Sequence, residues 1–181
     1  MTDSEITPRS TMQQILQAFP GAQRALFREF HIGGCSSCSF KPTETLEEVC
    51  RRNNGLNVEE VLAFVRTSHA EDARILMRPK ELAEWRQRVL DLKLLDIRSK
   101  QEYQAVHIAG SVLMSQPAMQ EIMAHWSREE PLVIIDHQGR TALDAAAYFL
   151  GHGFKNVRCL QGGIDAWSQE VDPKLARYRL G

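Results

Sequence analysis

Short apolar runs separated by helical segments dominate the second half of the chain. Three runs, at residues 92–97, 132–135 and 157–160, are mostly apolar. Runs of this length are typical of strands that are buried on both faces of a parallel sheet. Apolar side chains recur at helical spacing in four other segments, residues 79–88, 101–106, 119–126 and 141–151. This alternation predicts an α/β domain over residues 75–181, with a parallel sheet flanked by helices.

The first half has helical periodicity and signals for the starts of helices. Thr45 and Glu48 form the pattern of a capping box ahead of an apolar stretch, and similar signals precede the other apolar stretches. These patterns predict a small all-helical domain over residues 1–67, with four short helices. Residues 68–74 are mostly small or charged, and we interpret them as a linker to the α/β domain.

Composition and charge exclude several classes of function. The 181 residues include 22 basic and 23 acidic side chains, for a net charge of -1, which provides no electrostatic basis for nucleic-acid binding. Apolar stretches such as residues 132–135 are far shorter than the ~20 residues of a membrane helix. Residues 1–5 lack the basic start and apolar core of a secretory signal. We therefore expect a cytoplasmic protein without a nucleic-acid or membrane partner, and we predict no cofactor.

Three motifs in the second half resemble those of a known family. They are Asp96-Ile97-Arg98 with Glu102, then His107-Ile108-Ala109-Gly110-Ser111, then Leu160-Gln161-Gly162-Gly163-Ile164-Asp165-Ala166-Trp167. In this order they resemble the signatures of a rhodanese domain, over roughly residues 75–173. The resemblance implies a sulfurtransferase fold, in which a loop after a central strand presents a cysteine that carries a persulfide. It also implies that Asp96 and Arg98 brace the fold beside that loop.

The loop after the predicted strand 132–135 departs from the rhodanese pattern at its first position. The family pattern is Cys-x-x-Gly-x-Arg/Thr followed by a small residue. In this chain the corresponding residues are Asp136, His137, Gln138, Gly139, Arg140, Thr141 and Ala142. The resemblance therefore implies a degenerate loop with Asp136 at the position of the nucleophile. Because a carboxylate cannot carry a persulfide, we expect no sulfur transfer from thiosulfate through this loop.

Asp136 has two interpretations. It could act as a nucleophile or base assisted by His137 and Arg140. It could instead be a structural carboxylate that caps the helix beginning near Gly139 and pairs with Arg140. A carboxylate held by a helix N-terminus is a poor base, so the structural role is favoured.

The four cysteines are unevenly spaced: Cys35, Cys38 and Cys50 lie close together, and Cys159 lies alone in a strand pattern. Without an export signal, such cysteines point to redox chemistry, metal binding or burial. We expect Cys159 to be an inert core residue. Cys35 and Cys38 follow two glycines and can close a small disulfide loop, with Cys35 as the attacking thiolate and Cys38 as the resolving thiol.

Residues 10–67 resemble a second known module. Its features in this chain are the Cys-x-x-Cys at Cys35 and Cys38, the stretch from Glu44 to Glu48, and Cys50. The module is the small helical domain found beside hybrid-cluster proteins and named for a redox disulfide. The resemblance adds little mechanism, because the chemistry of that family is poorly defined.

Two other interpretations of the cysteines stay open. His31, Cys35, Cys38 and Cys50 could ligate zinc or form part of an iron–sulfur site. Alternatively, the Cys-x-x-Cys could be a glycine-rich turn that accepts small residues without any redox role.

Together the two halves predict a thiol-redox or sulfur-handling protein whose chemistry lies at Cys35 and Cys38. In this hypothesis the rhodanese-like domain, inactive as a thiosulfate sulfurtransferase, serves as a docking or regulatory platform. The alternatives are a non-enzymatic protein that binds a partner or metal, and a sulfurtransferase that uses a cysteine outside the rhodanese loop. The sequence names neither the sulfur donor or redox partner nor the oligomeric state.

Overall fold

The computed structural model describes residues 6–33, 39–139 and 141–178. It divides the chain into two compact units, Met1–Arg74 and Ile75–Gly181. Within the described part of the chain, no helix is long and apolar enough to cross a membrane.

The first unit is helical, as the sequence predicted. Its helices are α1 (Met12–Ala18), α2 (Ala22–Phe30), α3 (Leu46–Arg52) and α4 (Val58–Ile75). The capping box predicted at Thr45 and Glu48 is confirmed: the Thr45 hydroxyl accepts from the Glu48 amide, and the Glu48 carboxylate accepts from the Thr45 amide. The apolar faces of the four helices form one core, which includes the fully buried Met12, Phe19, Leu46 and Cys50.

The segment interpreted as a linker, residues 68–74, continues helix α4 rather than standing apart from it. Its alanines and charged residues favour helix as much as loop. Ser68 and Asp72 are buried and lie on the same helical face as Val61 and Val65. The Asp72 carboxylate forms an ion pair with Arg24 of α2, so this segment belongs to the first unit.

The second unit is a five-stranded parallel sheet with helices between its strands. The elements are β1 (Leu76–Met77), α5 (Pro79–Arg88), β2 (Lys93–Asp96), α6 (Lys100–Ala105), β3 (Val112–Leu113), α7 (Gln116–His125), β4 (Leu132–Ile135), α8 (Ala142–Gly151), β5 (Val157–Leu160) and α9 (Gly163–Glu170). The strand order is β1-β5-β4-β2-β3. The predicted α/β class is confirmed. The sequence did not predict the two-residue strands β1 and β3 or helix α9.

Strand β4 lies at the centre of the sheet and is buried along its whole length. Its side chains alternate between two cores: Leu132 and Ile134 pack with α8 residues such as Phe149, whereas Val133 and Ile135 pack with Ile164 and Trp167 of α9. Burial on both faces explains why this strand is an unbroken apolar run.

Candidate functional site

The candidate site lies where the central strands end. Strands β2 and β4 are parallel neighbours, with Asp96 opposite Ile135, so the segments that follow them emerge at the same edge of the sheet. The amide of Ile97 donates to the carbonyl of Ile135 (2.9 Å) and links the two strand ends. This edge, outside the carboxyl ends of the strands, is where open α/β sheets bind ligands.

The Asp136 side chain is buried in the loop that joins β4 to α8. Its Oδ2 accepts from the Thr141 amide (2.7 Å), the Thr141 hydroxyl (2.9 Å) and the Ala142 amide (3.1 Å). Its Oδ1 accepts from the Gly139 amide. Three backbone N–H groups of the loop and helix start therefore converge on one carboxylate. These are the contacts expected of a structural carboxylate, and Arg140 lies outside the described residues.

The loop packs directly against the start of helix α9. The Ile164 amide donates to the Asp136 carbonyl (2.9 Å), and the Asp165 amide donates to the His137 carbonyl (3.1 Å). Gly163 has a φ of +59°, and a Cβ at this position would lie 2.5 Å from the Asp136 carbonyl oxygen. Only glycine permits both this conformation and this approach.

Asp96 and Arg98 form a buried ion pair beside the loop. The Arg98 Nη2 lies 2.6 Å from the Asp96 Oδ2, and the two side chains are 2% and 0% exposed. The Arg98 Nε also donates to Oδ1 (2.9 Å), and Nη2 donates to the carbonyl of Val106 (2.8 Å). Both charges are thus compensated, and the pair fixes the segment that follows β2.

Tyr178 is part of the site although no sequence pattern predicts it there. Its hydroxyl accepts from the Arg98 Nη1 (2.8 Å) and donates to the Glu102 carboxylate (2.6 Å). Its ring stacks on the His137 imidazole, with the centroids 4.4 Å apart and the planes 6° apart. Burial, followed by the hydrogen bond to Glu102, raises the pKa of Tyr178 to about 12. No local pattern could have revealed contacts with residues so distant in the chain.

Gln138 lies at the exposed tip of the loop. A cleft of about 250 Å³ opens there, lined by Gln138, Asp165, Arg177 and Tyr178. The Arg177 guanidinium lies 2.8 Å from the Asp165 carboxylate and closes one side of this cleft.

The predicted redox pair, Cys35 and Cys38, lies outside the described residues. Cys50 is a free, buried thiol in the helical core, and burial raises its pKa to about 11. His31 is exposed at the end of α2. The described residues contain no group of three or more His, Cys, Asp or Glu side chains that could hold a metal ion. Cys159 is buried in β5, as predicted.

Known proteins are similar to part of this chain. The thiosulfate sulfurtransferase GlpE of Pseudoalteromonas translucida (strain TAC 125) is 32% identical over 87 residues, which are 48% of this chain and 83% of that protein. The thiosulfate sulfurtransferase GlpE of Pseudomonas paraeruginosa (strain DSM 24068 / PA7) is 35% identical over 75 residues, 41% of this chain and 68% of that protein.

A solved structure shares the fold. The crystal structure of reduced Bacillus anthracis CoADR-RHD aligns with a TM-score of 0.52 at 14% identity, covering 77% of this chain and 23% of that chain. The family model described as the rhodanese-like domain matches residues 78–170. This range spans β2 to β5 and the loop around Asp136, so the chain belongs to the rhodanese-like domain family.

Proposed function

We propose that this chain is a thiol-redox or sulfur-handling protein of the cytoplasm. Its chemistry lies at Cys35 and Cys38 in the first unit. The rhodanese-like unit does not transfer sulfur through its own loop and serves as a platform for a redox or sulfur-carrier protein. In this proposal Asp136 occupies the position at which catalytic rhodaneses carry their cysteine.

The main observation that supports the proposal is that the Asp136 carboxylate occupies the loop. Backbone N–H groups that converge beside a helix N-terminus form a site for an anion, such as a thiolate, a persulfide or an oxyanion. Here the amides of Gly139, Thr141 and Ala142 already donate to the Asp136 carboxylate. The anion site is therefore filled by a side chain of the protein itself.

A fixed carboxylate also disfavours the substrates of sulfur transfer. Thiosulfate and its sulfite product are anions, and an anion that approached the loop would meet the negative charge of Asp136. Two unit charges about 4 Å apart repel by roughly 4 kcal/mol at the effective dielectric of a protein surface. The named activity of the relatives, thiosulfate sulfurtransferase, supports sulfur chemistry for the fold, whereas Asp136 argues against this route in this chain.

The reactive thiols of the proposal are Cys35 and Cys38, because Cys50 and Cys159 are both buried. In a dithiol exchange, the Cys35 thiolate attacks a disulfide of a partner protein and forms a mixed disulfide. Cys38 then displaces the partner. The partner's disulfide takes up two electrons and two protons, and Cys35 and Cys38 become an intramolecular disulfide.

Thiol counting with metal analysis tests this proposal. The purified chain is incubated with oxidised or reduced glutathione, alkylated and analysed by peptide mass spectrometry. We expect one intramolecular disulfide between Cys35 and Cys38 under oxidation, with Cys50 and Cys159 still reduced. A Cys35→Ser variant is the matched control, and we expect it to form a mixed disulfide with glutathione at Cys38.

Two results would contradict the proposal. One is stoichiometric zinc or iron that is lost in Cys35→Ser, which would assign the cysteines to a metal site. The other is failure of Cys35 and Cys38 to pair at any glutathione ratio.

A further inference from the structure

The C-terminal segment, residues 172–178, crosses the site and is called the latch segment below. It leaves α9 through hydrogen bonds from the amide of Asp172 to the carbonyl of Trp167 (3.1 Å) and from the amide of Leu175 to the carbonyl of Asp172 (3.0 Å). Leu175 packs against the core that contains Trp167. These contacts direct the chain beyond Leu175 back toward the loop around Asp136.

The end of the latch segment contacts three separate elements of the site. The Tyr178 hydroxyl lies between Arg98 and Glu102, and the Tyr178 ring covers the imidazole of His137. The Nε2 of His137 is also 3.2 Å from the carbonyl oxygen of Tyr178. Tyr178 thus joins the segment after β2, helix α6 and the loop after β4.

Little space is left beneath the latch segment. The gap that it forms with the loop and α9 has a volume of about 10 Å³ and is lined by Ala176, Arg177 and Tyr178 on one side and by residues such as His137 and Ile164 on the other. A gap of this volume has room for about one water molecule. His137 is only 9% exposed as a result. No substrate or partner side chain can lie on His137 while the latch segment is in place.

The contacts that close the latch segment on the site are made by its last two residues and by no strand of the sheet. They are the hydrogen bonds of the Tyr178 hydroxyl with Arg98 and Glu102, the hydrogen bond of the Tyr178 carbonyl with His137, the ring stack on His137, and the ion pair of Arg177 with Asp165. The Arg177 side chain in that ion pair is 55% exposed. Exposed ion pairs add little stability. Segments with few buried apolar contacts open at lower free energy than the core does.

We propose that the latch segment is an autoinhibitory strap that controls access to the loop of residues 136–139. A partner that docks on this loop must first displace Tyr178 from His137. This inference deepens the proposed function, since it states how the docking platform is kept closed.

The experiment measures how fast a small reagent reaches the loop. In a Cys35→Ser, Cys38→Ser background, Asp136→Cys introduces one thiol into the loop, next to His137 on which Tyr178 stacks, and the remaining cysteines are buried. Its rate of alkylation by neutral iodoacetamide is followed by mass spectrometry, with the pH varied to correct for the thiolate fraction. We expect Tyr178→Ala to increase the pH-corrected rate about tenfold, because the ring stack and two hydrogen bonds to charged groups are lost.

Tyr148→Ala is the matched control. The Tyr148 ring packs at a tilt against the imidazole of His152, the residue that follows α8, with ring centroids 4.1 Å apart. Among the described residues, its ring contacts are with Phe149 and His152 and not with the loop. We expect this variant to leave the alkylation rate unchanged. Arg177→Ala, which removes a half-exposed side chain, should give a smaller increase of about threefold.

This experiment tests the latch segment independently of the proposed function, because alkylation requires neither sulfur transfer nor the Cys35–Cys38 pair. Faster alkylation in Tyr178→Ala and Arg177→Ala, with Tyr148→Ala unchanged, supports the latch. Circular dichroism establishes whether each variant is folded. If Tyr178→Ala is not folded, the alkylation rate of Arg177→Ala decides whether the inference holds. Equal rates in the parent and in every folded latch variant would overturn the inference.

Discussion

The guanidinium of Arg98 donates to both carboxylate oxygens of Asp96, from Nε to Oδ1 at 2.9 Å and from Nη2 to Oδ2 at 2.6 Å. The pair lies at the end of β2, and Arg98 also donates a hydrogen bond to the hydroxyl of Tyr178. Because it is almost fully buried, neither charge can recover hydration if the other is removed.

Arg98→Ala is therefore expected to destabilise the second unit by about 3–5 kcal/mol, since it leaves Asp96 as an uncompensated buried charge. All three tryptophans, Trp85, Trp126 and Trp167, lie in this unit, so urea unfolding followed by tryptophan fluorescence measures its stability. Glu129→Ala is the control: it removes an exposed pair with Lys155 and should cost less than about 1 kcal/mol. Similar losses in both variants would contradict the role given to the buried pair.

Gly163→Ala tests the close packing of the loop on α9. A Cβ there would meet the carbonyl oxygen of Asp136 at 2.5 Å, and the φ of +59° is itself unfavourable for alanine. We expect a loss of at least about 2 kcal/mol in the same urea experiment. Gly151→Ala is the matched control, because nothing lies within 4 Å of its added Cβ. It should be neutral or stabilise by up to about 1 kcal/mol.

The pKa of Tyr178 predicts how the latch segment responds to pH. An unfolded tyrosine has a pKa near ~10, whereas burial and the hydrogen bond to Glu102 raise that of Tyr178 to about 12. A raised pKa means that the neutral phenol is favoured in the folded state. Its contribution to stability is therefore full below pH ~10 and is lost as the pH rises through about 12.

Spectrophotometric titration at high pH checks this prediction. The difference between the phenolate absorbance of the native chain and that of Tyr178→Phe isolates the titration of Tyr178. A midpoint near pH 12 is expected. A difference curve with its midpoint near pH ~10 would mean that the Tyr178 hydroxyl does not form its hydrogen bonds with Arg98 and Glu102.

Cys50 and Cys159 should react only when the chain unfolds. Both thiols are buried, and burial raises the pKa of Cys50 to about 11, so at pH 8 very little of it is thiolate. We expect alkylation of both to be at least about 100-fold slower in the native chain than in guanidinium chloride. Rapid labelling of Cys159 in the folded chain would contradict its role as a core residue.

The sequence predicted the parts of the fold that depend on local patterns. The run 132–135 identified β4 because its side chains face two cores, and Thr45 with Glu48 identified the start of α3. Strand β3, at Val112–Leu113, is too short to form a pattern, and it exists only because it pairs with β2. The helix formed by residues 68–74 could not be distinguished from a linker, since the burial of Asp72 depends on its distant partner Arg24.

The candidate site also has a part that local sequence patterns predict and a part that they do not. Asp136, Gly139 and Thr141 follow one another in the chain, so their juxtaposition was predictable from the loop pattern. Tyr178 was not predictable, because its contacts with Arg98 and His137 join residues 80 and 41 positions away. Such contacts depend on the path of the chain after α9, and no residue periodicity encodes that path.

The proposed function depends most on Asp136, whose carboxylate accepts hydrogen bonds from the amides of Gly139, Thr141 and Ala142. The most direct test is a thiosulfate:cyanide sulfurtransferase assay on the Cys35→Ser, Cys38→Ser chain, with and without Asp136→Cys. The new thiol would lie among the amides of Gly139, Thr141 and Ala142, where its pKa should fall below the ordinary ~8.5. We predict at least weak thiocyanate formation with Asp136→Cys, since the latch segment slows but does not abolish access to the loop, and none above background with Asp136 in place. Robust turnover by the chain that retains Asp136 and lacks Cys35 and Cys38 would contradict the proposed role of Asp136.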